Sequence, residues 1–205
     1  MNAVKISDRL TVAGQPKREE ICALAGQGFA AVINARPDSE EAGQPGDAAE
    51  RNAAKDAGLG YHFLPVTSPT ITEADVRAFQ KAVTAAEGPV LAHCRGGTRV
   101  LALHAIGEVL DGRMKAGEVE AFGRSHGFDL SAASRWLARE AVRQPKVKAF
   151  FDPRTWSVQY VVIDPSAKRC AIIDPVYDFD EKSGSTATTS ADAVLAYVKE
   201  QGLTI

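Results

Sequence analysis

The 205-residue chain is poor in the features that mark several large classes of protein. Its three cysteines are too few and too scattered for a disulfide framework, so we expect a reducing compartment, the cytoplasm. No apolar run approaches the ~20 residues of a membrane span, and residues 1–5 lack the layout of a signal peptide. With a formal net charge of −2, the chain has no excess of positive charge to attract nucleic acid or an anionic membrane. We therefore expect neither nucleic acid nor membrane as a partner, while a homo-oligomer stays open.

Apolar runs alternate with helical patterns over the first two-thirds of the chain. Residues 29–34 form a continuous apolar run, which predicts a central strand buried on both faces. Further strands are predicted at residues 61–66 and 90–93, with helices between them, including one over residues 48–57. This alternation predicts an α/β fold, a central sheet flanked by helices, with active loops at the carboxyl ends of strands.

After residue 143 the pattern changes from helices to β-hairpins. Gln144-Pro145-Lys146 is typical of a linker, and a last helix is predicted over residues 191–201. The sequence thus predicts a first domain at 1–143, a linker at 144–149 and a second segment at 150–205. Because two hairpins and a helix bury little surface, we expect this segment to be a fragment of a larger domain.

The candidate catalytic segment is the stretch from His93 to Arg99. An apolar strand delivers Cys94 into a turn with Gly96 and Gly97, and a helix begins near Thr98. Backbone N–H groups in such a turn favour anions and the nucleophilic thiolate of cysteine. Arg99 adds a planar fork that binds an oxyanion at two points. We predict Cys94 and Arg99 as catalytic residues, with substrate binding by the four residues between them, Arg95, Gly96, Gly97 and Thr98.

Other residues receive supporting or structural interpretations. His93 is predicted to hydrogen-bond behind the loop, and Arg36 and Asp38, after a neighbouring strand, to line its mouth. A satisfied core histidine is the alternative for His93, and a solvated turn explains Arg36 and Asp38 almost as well. The remaining cysteines and both tryptophans are interpreted as core residues: Cys22, Cys170, Trp136 and Trp156.

The order strand, His-Cys, glycine loop, Arg, helix resembles both dual-specificity protein phosphatases and rhodanese-type sulfurtransferases. Phosphatases carry five residues between the cysteine and the arginine, whereas four separate Cys94 from Arg99, which is the rhodanese spacing. Phosphate ester hydrolysis also needs a proton donor for the leaving oxygen. The loop at residues 67–71, where the phosphatases place it, has no carboxylate, and Asp75 fits better as a capping partner of Thr72.

The wider chain is similar to a bacterial family known as β-lactamase hydrolase-like proteins. The resemblance rests on the catalytic loop and on three further segments: Gly14-Gln15-Pro16, Val32 to Asp38, and Gly127 to Ser131. It implies a phosphatase-like sulfurtransferase domain fused to a metallo-β-lactamase-fold persulfide dioxygenase. Residues 150–205 are similar to the opening strands of that dioxygenase. The four histidines lie at positions 62–126, so no cofactor or metal site is expected in this chain, and iron would belong to a missing part of the fusion.

Taken together, these features predict a sulfurtransferase. Cys94 would accept sulfane sulfur from thiosulfate or glutathione persulfide and pass it to a thiol acceptor, which the resemblance connects to sulfide detoxification. A cysteine-dependent phosphatase that uses the same Cys94 and Arg99 is the alternative. A non-catalytic module that binds an anion or a partner is the second alternative.

Overall fold

The computed structural model describes residues 2–205 and divides the chain into two compact units, which meet in sequence between Leu137 and Ala138. The boundary predicted from the sequence lay six residues later, at 143. A strand covers Lys146–Asp152, so most of the predicted linker at 144–149 belongs to a strand. Residues 146–149 pair in antiparallel register with residues 160–163, which explains why this stretch is not a linker.

The first unit is a five-stranded sheet with helices. Its strands are β1 (Ala3–Lys5), β2 (Leu10–Ala13), β3 (Ala31–Asn34), β4 (Gly60–Phe63) and β5 (Val90–His93). Its helices are α1 (Arg18–Ala23), α2 (Asp47–Asp56), α3 (Glu73–Ala85), α4 (Thr98–Leu110), α5 (Val119–Ser125) and the start of α6 (Ser131–Arg143). The sheet order is β1-β2-β5-β3-β4, parallel except for the β1–β2 pair.

The three central strands are buried on both faces, as the apolar run predicts. Neighbouring residues of β5 show this, because Leu91 packs in one apolar cluster and Ala92 in the other. Eight of the thirteen residues of helix α4 are buried, which explains why its sequence is mostly apolar. The sheet is therefore a rigid support for the loops at its carboxyl edge.

Helix α3 begins at the capping pair predicted from the sequence. The Thr72 hydroxyl accepts a hydrogen bond from Asp75 N at 3.2 Å, and the Asp75 carboxylate accepts one from Thr72 N at 2.8 Å. Trp136 is buried, and its indole donates to the carbonyl of Ile71 at 2.8 Å.

Cys22 is exposed, so its interpretation as a core residue was wrong. It lies in the short helix α1, which has six residues, and its side chain is on the solvent side of that helix.

The second unit contains an antiparallel sheet and a helix. Its elements are β6 (Lys146–Asp152), β7 (Ser157–Asp164), β8 (Arg169–Ile173), β9 (Asp178–Phe179), β10 (Thr186–Ala187) and α7 (Thr189–Glu200). One sheet has the order β6-β7-β8, and Val161 and Ile163 of β7 pack against Val194 and Val198 of α7. Cys170 is half-buried beside this cluster.

Trp156 was predicted to be a core residue, and this was wrong: it is 80% exposed. It occupies the turn between β6 and β7 with a φ of 59°, so its side chain is outside the packed face of the sheet.

None of the helices in the described part of the chain has the length and apolar character needed to cross a bilayer.

Candidate active site

The candidate nucleophile lies at the carboxyl edge of the central sheet. Strand β5 ends at His93, whose register partners are Ala13 of β2 and Asn34 of β3. Because all three strands are parallel, the segments that follow them meet at one edge. Cys94 begins the catalytic loop there, and α4 starts four residues later.

The loop folds its backbone around the sulfur of Cys94. Cys94 is 1% exposed, and its Sγ accepts a hydrogen bond from the N–H of Gly97 at 3.2 Å. Gly97 has a φ of 93°, and a Cβ there would lie 2.9 Å from Cε1 of Phe128. Both the turn and the packing of Phe128 therefore require glycine at this position.

The segment after β2 supports the other side of the loop. Gln15 N donates to the carbonyl of Arg95 at 3.2 Å, and a Cβ on Gly14 would approach that oxygen to 3.3 Å. A Cβ on Gly96, by contrast, would meet nothing within 4 Å. One face of the loop is thus tightly packed, and its Gly96 face is open.

The open face borders a pocket of about 600 Å³. Its lining residues are Glu40, Thr67, Ser68, Pro69, Cys94, Arg95, Gly96, Thr98 and Arg99. The structure therefore brings together the predicted catalytic pair and three of the four predicted binding residues. Gly97 is outside this lining and contacts the sulfur through its N–H, whereas Thr98 lines the pocket as the first residue of α4.

Arg99 is fixed by two partners within the unit. It is 8% exposed, its Nη1 donates to the carbonyl of Val66 and its Nη2 to Oε2 of Glu40, each at 2.8 Å. The hydrogen bond from Arg99, followed by that from Arg36, lowers the pKa of Glu40 despite the opposing effect of burial. Glu40 is therefore a carboxylate at neutral pH.

The predicted supporting residues have three different positions. Arg36 is 4% exposed and binds Glu40 at 2.9 Å and Glu41 at 2.7 Å. It therefore holds these two carboxylates in place, and Glu40 lines the pocket. His93 is fully buried, with Nε2 2.7 Å from Oε2 of Glu50. Asp38 is outside the pocket lining, and its carboxylate accepts a hydrogen bond from the N–H that begins α2 at 2.8 Å.

Sequence reasoning missed Glu40 and Glu50. Glu50 shares a helix face with Ala53, Ala54 and Ala57, and this spacing could have marked it as a carboxylate directed at the core. Glu40 lies two residues after Asp38 in the loop that follows β3. No sequence pattern marks it as a pocket residue, and only the position of β3 beside β5 in the sheet could have indicated that role.

The structure supplies no proton donor from the loop at 67–71. Thr67 and Thr70 share a hydrogen bond between their hydroxyls at 2.8 Å, and the carboxylate of Asp75 is engaged by Thr72. Among the residues that line the pocket, Glu40 is the single carboxylate.

The second unit does not fit the iron that the resemblance associates with longer proteins. Residues 138–205 contain no histidine, and the carboxylates of Asp152 and Asp178 are engaged by Thr155 and Ser190. Within residues 2–205 no three His, Cys, Asp or Glu side chains are grouped so that they could hold a metal ion.

The sheet order, the parallel central strands and the cysteine loop define an α/β protein with a phosphatase-like fold. The chain is similar to the crystal structure of a candidate phosphatase from Neisseria meningitidis, with 31% identity and a TM-score of 0.60. That match covers 66% of this chain and 96% of the other. Residues 3–111 match the phosphatase-like domain of the beta-lactamase hydrolase-like proteins, and the chain belongs to this family.

The beta-lactamase hydrolase-like relatives are longer than this chain. The beta-lactamase hydrolase-like protein of Agrobacterium fabrum is 61% identical over 205 residues, which are all of this chain and 48% of that protein. The chain thus spans about half the length of this relative. A probable metallo-hydrolase of Burkholderia pseudomallei is 46% identical over 56 residues, 27% of this chain and 19% of that protein. The likeness to metallo-hydrolases is therefore partial.

Proposed function

We propose that the first unit transfers sulfane sulfur through a covalent intermediate on Cys94. One observation carries this proposal: the pocket combines a thiol and a guanidinium with a carboxylate that Arg99 and Arg36 keep ionised. An ionised Glu40 cannot protonate the oxygen of a departing alcohol. Sulfur transfer needs no such donor, because sulfite or a thiolate leaves as an anion.

The chemistry consists of two displacements at sulfur. The Cys94 thiolate attacks the outer sulfur of thiosulfate or glutathione persulfide; a new S–S bond forms, and the old one breaks with release of sulfite or glutathione thiolate. The thiolate of an acceptor then attacks the outer sulfur of the Cys94 persulfide and restores Cys94. No electron acceptor is required, since both steps exchange one sulfur–sulfur bond for another.

Two groups would stabilise the charge during transfer. The N–H of Gly97 donates to Sγ at 3.2 Å and would stabilise negative charge on the sulfur. Arg99, which lines the same pocket, would bind the anionic end of the donor. We propose a cytoplasmic setting, where the thiol stays reduced, with a small-molecule sulfur donor and a thiol acceptor as partners.

A cysteine-dependent phosphatase is the second candidate, and the comparisons favour it more directly. The specific observation is the likeness to the candidate phosphatase of Neisseria meningitidis at 31% identity. In that chemistry Cys94 would form a cysteinyl phosphate and Arg99 would bind the equatorial oxygens. The site would then need a proton donor other than the residues of the 67–71 loop.

Intact mass separates the two candidates. The reduced protein is mixed with thiosulfate, glutathione persulfide or p-nitrophenyl phosphate, beside a Cys94→Ser variant. We expect a gain of about 32 Da, one sulfur, that the variant does not show. Release of nitrophenol that depends on Cys94, without a sulfur adduct, would establish the phosphatase instead. If neither reaction occurs, the second alternative, an anion-binding module, gains support.

For the longer relatives we propose a link to persulfide oxidation. The partial likeness to a metallo-hydrolase supports a second segment from a metallo-β-lactamase-fold dioxygenase, which would connect sulfur transfer to sulfide detoxification. Oxygen uptake with glutathione persulfide by the full-length Agrobacterium fabrum relative tests this. Failure of that uptake would leave the Cys94 reaction of the first unit unaffected.

A further inference from the structure

We propose that Glu40 sets the charge of the anion that the Cys94 pocket accepts, by favouring ligands whose group at Arg99 carries one negative charge over inorganic dianions. The inference rests on the proposed function, because it concerns the donor of the same site. It predicts that the preferred donor presents a single negative charge to Arg99, unlike thiosulfate or a phosphate ester, which are dianions.

Glu40 shares the pocket with the nucleophile and the arginine. It lines the same cavity as Cys94, and its Oε2 is 2.8 Å from Nη2 of Arg99. Part of the guanidinium fork is therefore occupied by a carboxylate before any substrate arrives. An incoming oxyanion must share Arg99 with Glu40, and each additional negative charge adds repulsion at a distance of a few ångströms.

A chain of hydrogen bonds from the core fixes this carboxylate. Glu40 also binds Nε of Arg36 at 2.9 Å, and Nη1 of Arg36 donates to Oε1 of Gln15 at 3.0 Å. Gln15 in turn donates to the buried Glu50 at 2.8 Å. Glu40 therefore cannot swing away from an incoming anion at little cost, as an unsupported surface side chain would.

The remaining positive charge at the mouth is small. Arg36 is 4% exposed and is shared by Glu40 and Glu41. Arg95 is exposed and lies 3.4 Å from Glu41. Both other arginines near the pocket thus have carboxylate partners, so the site matches a singly charged group better than a dianion.

Two tetrahedral oxyanions that differ by one charge test the selection. Sulfate is a dianion and methanesulfonate a monoanion near neutral pH. Each is assayed for protection of Cys94 against alkylation by iodoacetamide, at constant ionic strength, with intact mass as the readout. The variants are Glu40→Gln, the charge-conserving Glu40→Asp, and Glu41→Gln, which makes the same change in net charge beside the pocket.

We expect the wild type to bind methanesulfonate more tightly than sulfate. Glu40→Gln should shift the ratio of the two affinities toward sulfate by about tenfold, whereas Glu40→Asp and Glu41→Gln should keep the wild-type order. An unchanged ratio in Glu40→Gln, or an equal shift in Glu41→Gln, would overturn the inference. Because the assay measures binding without turnover, the charge selection can hold even if no persulfide forms on Cys94.

Discussion

The imidazole of His93, the residue before Cys94, and the carboxylate of Glu50 form a buried pair, with Nε2 of His93 2.7 Å from Oε2 of Glu50. Both side chains are buried, at 0% and 2% exposure. Glu50 also accepts a hydrogen bond from Gln15, whose backbone N–H supports the Arg95 carbonyl. The pair therefore links helix α2, strand β5 and the catalytic loop.

Glu50→Ala should destabilise the first unit by about 3 kcal/mol, because it leaves His93 and Gln15 without their buried partner. The measurement is urea unfolding followed by the fluorescence of Trp136, in a background where Trp156 is replaced by Phe. Glu120→Ala, on an exposed face of α5, is the matched control and should stay within about 0.5 kcal/mol. An equal effect of both variants would contradict a structural role for the pair.

Gly97→Ala should destabilise the first unit much more than Gly96→Ala. At Gly97 the φ of 93° and the contact with Phe128 oppose any side chain, so we expect a loss of about 2 kcal/mol in the free energy of unfolding. At Gly96 the new methyl group meets open space, and the loss should stay below about 0.5 kcal/mol. The same urea experiment measures both, and a reversed order would refute the described turn.

The local part of the site could be predicted from the sequence, whereas its long-range part could not. A strand, two glycines and a helix start lie close together in the sequence, so the place of Cys94 between a strand and a helix could be predicted from its sequence neighbours. The Glu40–Arg99 contact joins residues 59 positions apart and exists because β3 lies beside β5 in the sheet. The exposed Trp156 shows the same limit, since residue type favoured the core and turn geometry determined the outcome.

Arg99→Lys should slow formation of the Cys94 persulfide by about 100-fold. An ammonium cannot bind the Val66 carbonyl, Glu40 and a donor anion with the geometry of a planar fork. Rapid mixing with glutathione persulfide, quenched at set times and analysed by intact mass, gives the rate of persulfide formation on Cys94. Arg113→Lys, at an exposed ion pair with Glu108, serves as the control and should react at the wild-type rate. A lysine variant as fast as the wild type would remove Arg99 from the chemistry.

His104 should make the first unit less stable in mild acid. The pKa of this half-buried imidazole lies below its ordinary value of 6.5, and burial is the largest cause. The charges of Arg113 and His126 lower the pKa further, whereas that of Glu108 raises it. Below pH 6.5 the unfolded chain therefore binds a proton that the folded chain does not, so stability is complete above this pH and decreases as the pH falls through it. His104→Gln removes that proton uptake. We expect its unfolding midpoint to fall less than that of the wild type between about pH 7.5 and about pH 5.5. Equal decreases, measured through Trp136 in both proteins, would show that His104 does not control the response.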